Sequence, residues 1–324
     1  MKFLLLFAIC VIAGCNDAKE SNSMLNEPPY NMLTDSIRLQ PQNAGLYYRR
    51  GALLYQNSQL PAAATDLKKA WQLQPTEEHA LSVATVLLKT NQDSALHFIQ
   101  QALQSLPRSI ALQIGLARGF QQKGDLQQAL ATCDQVLVLY PNSIDALLLK
   151  TEIYKNQNNH TAALQTLEKA YSYDPFDHEL AYNLAFEYAE AKNSKAIPLT
   201  DSLMRSDTTG KQAQPYYLRG VYYANTGNVA QALQYYNQAI AHDYNFYDAY
   251  MDKGALLYEV KRYYEALAVF QLVNRITPTY AGSYYWAGRC HQAMGNKAEA
   301  KLAYQRAYGL DKELCEAKEA ADRL

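Results

Sequence analysis

The chain has 324 residues, 49% of them hydrophobic and 19% charged, which is enough apolar material for a continuous core. A formal net charge of -1 and a pI near 6.6 remove the electrostatic basis for binding nucleic acid. With only 14 glycines and 11 prolines, and with few β-branched runs at period two, the chain is predicted to be all-α.

In chain order, the first segment has the form of a targeting sequence. Lys2 supplies a short positive region, and Phe3 to Ala13 is an apolar run too short to span a bilayer as a helix. It ends in Ile12-Ala13-Gly14-Cys15, which resembles the bacterial lipobox, where the cysteine is lipidated and becomes the first residue of the mature chain. Residues 1–14 are therefore expected to be a lipoprotein signal peptide and Cys15 the lipidation site. Acyl chains there would hold the protein to a membrane at about 0.8 kcal/mol per buried CH2. The resemblance implies a lipid-anchored protein of the bacterial cell envelope, and Asn16, in place of an aspartate, points to the outer membrane. Residues 15–30 are polar, end in Glu27-Pro28-Pro29, and read as a flexible tether.

Beyond the tether, proline recurs at Pro41, Pro75, Pro107, Pro141 and Pro175, at intervals of 34, 32, 34 and 34 residues, and again at Pro278. A fixed period of this length marks stacked supersecondary units. Between the prolines lie two helical stripes. In residues 216–240, Tyr216, Arg219, Gly220 and Tyr223 share one helical face, Thr226-Gly227-Asn228 breaks the helix, and Ala232, Tyr236 and Ala239 form the answering stripe. Gly220 would let a neighbouring helix approach closely.

These residues resemble the tetratricopeptide repeat (TPR) family, whose pattern reappears as Tyr47, Gly51, Leu54, Ala63, Leu67, Ala70 and Pro75. It returns as Leu147, Tyr154, Ala163, Leu167, Ala170 and Pro175; as Tyr250, Gly254, Leu257, Ala266, Phe270 and Pro278; and as Tyr284, Gly288, Ala300, Tyr304 and Ala307. A weaker copy runs through Leu116, Ala117, Phe120, Ala129 and Pro141. The resemblance implies an all-α solenoid, a right-handed superhelix of antiparallel helix pairs, with about eight repeats over residues 31–312 and a capping helix over 313–324. Leu314, Ala317, Ala321 and Leu324 form the apolar stripe of that cap. Two departures stand out. The repeat between Pro75 and Pro107 is two residues short, and the array degenerates near 192–210, where Pro198 is tolerable only within a first helical turn and Thr208-Thr209-Gly210 opens a gap. That stretch reads as a joint between a plainer arm and an aromatic one.

Catalytic motifs are missing: there is no G-x-S-x-G elbow, phosphate loop, dinucleotide fingerprint or H-E-x-x-H. The six histidines show no i, i+4 pair, and His291 reads as a satisfied structural residue. Cys133 reads as a buried apolar thiol, and no cysteine spacing matches a metal site or redox pair. Neither an enzyme, a cofactor, a metal nor a small-molecule substrate is expected.

The TPR resemblance implies that the first helix of each pair lines the groove where partners bind. Carried over copy by copy, its late positions are Tyr182, Phe186, Tyr217, Val221, Met251, Tyr258, Tyr285, Trp286 and Arg289. The expected function is an adaptor that holds a protein or peptide partner against this aromatic row. The alternative is a glycan-binding lipoprotein that stacks the same rings on sugars. For any one tyrosine, packing between repeats competes with either role. Tyr48, Ala52 and Val83 occupy places where a clamp for acidic chaperone tails needs Lys, Asn or Arg, so that ligand is not expected.

Overall fold

A computed structural model describes residues 24–207 and 212–324. The expected signal peptide, Cys15 and the Thr208-Thr209-Gly210 gap lie outside the described residues. Eighteen helices and no strand occur among those described, and none of the helices is long and apolar enough to cross a membrane.

The chain forms two compact units, one ending at Ala163 and the other running from Leu164 to Leu324. The first contains α1 (Asn31–Leu39), α2 (Ala44–Gln56), α3 (Leu60–Leu73), α4 (Glu77–Thr90), α5 (Gln92–Ser105), α6 (Ile110–Lys123), α7 (Leu126–Leu139) and α8 (Ile144–Asn156). The boundary falls inside α9 (His160–Tyr173). The second continues with α10 (His178–Glu190), α11 (Ala196–Ser206), α12 (Gln214–Asn225), α13 (Val229–His242) and α14 (Tyr247–Glu259). It ends with α15 (Tyr263–Ile276), α16 (Ala281–Ala293), α17 (Lys297–Leu310) and α18 (Cys315–Asp322). Within each unit the helices other than α9 pack on their neighbours in sequence, and the first helices of successive pairs also touch: α2, α4, α6 and α8 in one, α10, α12, α14 and α16 in the other. This is the nearest-neighbour stacking of a solenoid.

All six periodic prolines fall in the connections that follow α1, α3, α5, α7, α9 and α15, where the lost N–H breaks no helical bond. The turn inside a pair is built on one left-handed residue, with φ between 55° and 85° at Ser58, Gly124, Asn158, Lys192, Gly227, Lys261 and Gly295. The short repeat has no such residue. Asn91 alone joins α4 to α5, closing α4 with its N–H and capping α5 with its side chain on Ser94 N. The two residues missing between Pro75 and Pro107 are thus the turn itself.

Core packing repeats with the period. In the second helices a fully buried Ala recurs early (Ala63, Ala129, Ala232, Ala266, Ala300), and a buried Ala or Val returns seven positions later, on the same face. Between them a larger side chain enters the first helix of its own pair opposite a glycine sixteen residues earlier. A Cβ added at Gly51 would lie 2.7 Å from Leu67 Cγ, at Gly220 2.6 Å from Tyr236 Cδ1, at Gly254 2.5 Å from Phe270 Cζ, and at Gly288 2.7 Å from Tyr304 Cδ1. Where the glycine is replaced by Ala117, the opposing side chain shrinks to Cys133, and both are fully buried in one cluster. Burial pushes the Cys133 thiol up to about 11. Cys290 is also a buried free thiol, whereas Cys315 is free and exposed.

The irregular stretch is held differently. Pro198 is the third residue of α11, inside its first turn. From α12, Arg219 reaches across to α11, donating to Thr200 Oγ1 at 2.8 Å, to the Ile197 carbonyl at 2.6 Å and to Asp201 at 2.6 Å. Its guanidinium also lies over the Tyr235 ring, 5.4 Å from the centroid. Arg50 occupies the same repeat position in the first unit, bidentate on Asp66 at 2.6 and 2.8 Å and bonded to Thr34 of α1.

The ends are covered. Met24 and Leu25 pack on the first unit's core, and Thr34 Oγ1 donates to the Leu25 carbonyl. At the other end α18 buries Ala317 and Ala321 against α17, with Leu314 and Leu324 packed alongside. His291 differs from expectation: its Nδ1 is buried and has no hydrogen-bond partner among the described residues.

Candidate functional site

The first-helix face of the second unit is formed by α10, α12, α14 and α16, and it carries all nine predicted groove residues. Of these only Phe186 on α10 is well exposed, at 38%. Val221 is buried, and the remaining seven are half-buried, because their positions border the packing stripe. Tyr182 donates its hydroxyl to Gln212 Oε1. Tyr217 packs edge-on against Phe246 at 5.1 Å and donates to Asp252 Oδ2 at 2.8 Å. Burial and the neighbouring Asp252 charge push its phenol far above the usual range, so it stays a donor. Met251 packs on the Tyr250–Phe270 cluster.

Four of the predicted residues meet. Trp286 stacks on Phe270 at 5.7 Å and 17°, and takes Tyr258 edge-on at 5.6 Å and Tyr285 at 6.4 Å. The Arg289 guanidinium covers Trp286 at 4.3 Å and Tyr258 at 4.7 Å. These rings are locked by each other and by the second helices α15 and α17, the latter through Tyr285 on Tyr304 at 5.7 Å. Tyr182, Phe186, Tyr217 and Val221 lie apart from this cluster, on α10 and α12.

Between the two groups the face carries a feature that the search for aromatics missed. Asp248, Asp252 and Glu259 stand at i, i+4 and i+11 on α14, a spacing that places them on one side of the helix. Asp252 and Glu259, with Glu190 from α10, surround a cavity of about 260 Å³, which is also lined by Val221, Ala224 and Asn225 of α12, Tyr236 of α13, and Ala255 and Leu256 of α14. Glu190 accepts from Asn225 Nδ2 at 3.1 Å. Burial pushes the Asp252 carboxyl up, the Tyr217 hydrogen bond opposes that, and the charges of Asp248 and Glu190 push the same way as burial. The signal for this site was present in the helical spacing of acids. In the first unit, by contrast, Val83 is fully buried and not at the surface at all.

Family models described as tetratricopeptide repeat match residues 120–185, 217–281 and 281–314. A 64-residue stretch is 39% identical to an uncharacterized protein of Methanocaldococcus jannaschii, covering 20% of this chain and 74% of that protein. Among solved structures, the chain is similar to a tetratricopeptide repeat protein from Parabacteroides merdae, with a TM-score of 0.50 at 15% identity over 86% of this chain and 97% of that one. It is also similar to PilW, a type IV pilus biogenesis factor, with a TM-score of 0.50 at 18% identity over 64% and 95% of the two chains. Both likenesses concern the fold.

The ring cluster and the exposed phenylalanine should separate in a stability measurement. Trp286→Ala is expected to cost about 3 kcal/mol in urea denaturation, through lost packing, and Phe186→Ala to stay within about 0.5 kcal/mol. Equal effects would contradict the structural role assigned to Trp286.

Proposed function

Because the chain carries tetratricopeptide repeats, we propose that it is a non-catalytic scaffold that holds a protein or peptide partner on the first-helix face of its second unit. The observation that carries the reading is the state of that face. Rigid aromatic side chains, locked by stacking and by the Tyr217–Asp252 hydrogen bond, flank an exposed Phe186 and an open cavity. Groups already ordered before binding lose little entropy when a partner arrives, and aromatics and arginine are the residues that concentrate binding energy at interfaces. A protein partner is favoured over a glycan because Trp286 is stacked on Phe270 and covered by Arg289, which leaves it little free ring face for a sugar.

The same protein is held to a bacterial envelope membrane through a lipidated Cys15. The run from Phe3 to Ala13 and the tetrapeptide Ile12-Ala13-Gly14-Cys15 support the anchor, and Asn16 supports the outer membrane.

Two experiments test these readings. A photoreactive residue at Phe186 in the full chain should form protein adducts in cells, while one at Tyr264, 79% exposed on the second helix α15, should not. Equal adducts from both positions, or none from Phe186, would contradict the binding face. Cys15→Ala should abolish labelling by radioactive palmitate and release the protein from membranes, and continued labelling would refute the anchor.

A further inference from the structure

The cavity between α10, α12 and α14 has a chemistry of its own. Its rim is acidic, and none of Glu190, Asp252 and Glu259 forms an ion pair among the described residues. Asp252 is the deepest of the three: its Oδ2 is taken by the Tyr217 hydroxyl, leaving Oδ1 uncommitted. A second observation is independent of the acids. Tyr236, only 2% exposed, lines the same cavity, and its hydroxyl makes no hydrogen bond to any described residue. Burial is the main cause that raises that phenol's pKa, and the charges of Asp252, Glu190 and Glu259 add to it. The Tyr236 side chain is buried while its unpartnered oxygen faces the open cavity, and a group of like charges gathered at one site costs free energy.

We propose that this cavity is a socket for one lysine or arginine side chain of the protein partner, a refinement that rests on the first-helix face being the binding surface. An ammonium or guanidinium brings only donors. It would meet Asp252 Oδ1, the Glu190 and Glu259 carboxylates, and the oxygen of Tyr236. The remaining wall, made of Val221, Ala224 and Leu256, suits the methylene stem of a long basic side chain. The size fits as well: about 260 Å³ is roughly the share of eight or nine waters at ~30 Å³ each, room for one side chain and its solvent but not for a helix. A metal ion is a poorer occupant, since no group of three His, Cys, Asp or Glu among the described residues is arranged to hold one.

The test places 3-fluorotyrosine at Tyr236 in the full chain and follows its ¹⁹F resonance during titration. The probes are N-acetyl-lysine methylamide and N-acetyl-arginine methylamide, with N-acetyl-norleucine methylamide and calcium chloride as comparisons. A saturable shift is expected with the lysine or arginine probe and not with norleucine. Asp252→Asn, which can still accept from Tyr217, and the exposed Glu259→Gln should each weaken the lysine response about tenfold. No shift from either basic probe, an equal shift from norleucine, a shift from calcium alone, or an undiminished response in both variants would overturn the proposal. Adducts from a photoreactive residue at Phe186 would persist in that event if only the socket were wrong, and would be absent if the binding face were wrong.

Discussion

Everything on the first-helix face depends on one steric fit, the seating of a large side chain from the second helix against a first-helix position that lacks a Cβ. Gly220, Gly254 and Gly288 receive Tyr236, Phe270 and Tyr304 at separations that a methyl group could not share. The fit draws two helices together until the ring fills the space between them, and close-packed interiors tolerate little slack. It also sets the rotation of α12, α14 and α16, and so decides which of their residues turn outward. The half-buried ring cluster and the acidic cavity both follow from that rotation. Tyr236 links the two: its ring packs on Gly220 while its hydroxyl opens onto the cavity.

Where the fit is absent, the chain substitutes another device. The α11 helix has no glycine opposite it, and Arg219 holds it through Thr200, Ile197 and Asp201. Such a buried cation is tolerable because its donors are matched and an aspartate pairs with it. The resulting repeat keeps its first helix in line with α10 and α14 although its preceding second helix departs from the pattern. A continuous face therefore survives an interruption in the sequence.

Much of this was legible in the residues. The prolines mark connections, the alanine stripes mark the second helices, and the glycines mark close approaches, because each rests on a local backbone or volume requirement. The aromatic row was harder to read. Tyr258, Tyr285 and Trp286 were correctly placed on the first helices, but residues bordering a packing stripe are shared between surface and core, and periodicity alone cannot apportion them. Phe186 stands out only once burial is known. Asp252 and Glu259 of α14 were visible on one side of the helix, yet their meaning needed Glu190 of α10, 62 positions before Asp252, and Tyr236 of α13. His291 eluded the sequence because a hydrogen-bond partner, or its absence, is a tertiary fact.

A face built this way is rigid at its base and uncommitted at its rim, which suits the proposed scaffold role. The most direct test of the underlying fit is a cycle at Gly254 and Phe270. The atoms nearest the added Cβ are at the far end of the ring, and valine stops short of them. In urea denaturation of the full chain, Gly254→Ala is expected to lower stability by about 1–3 kcal/mol in the native background through overpacking. In the Phe270→Val background it is expected to raise stability by about 0.5–1 kcal/mol, the helix preference of alanine over glycine. A change of the same sign and size in both backgrounds would contradict the account.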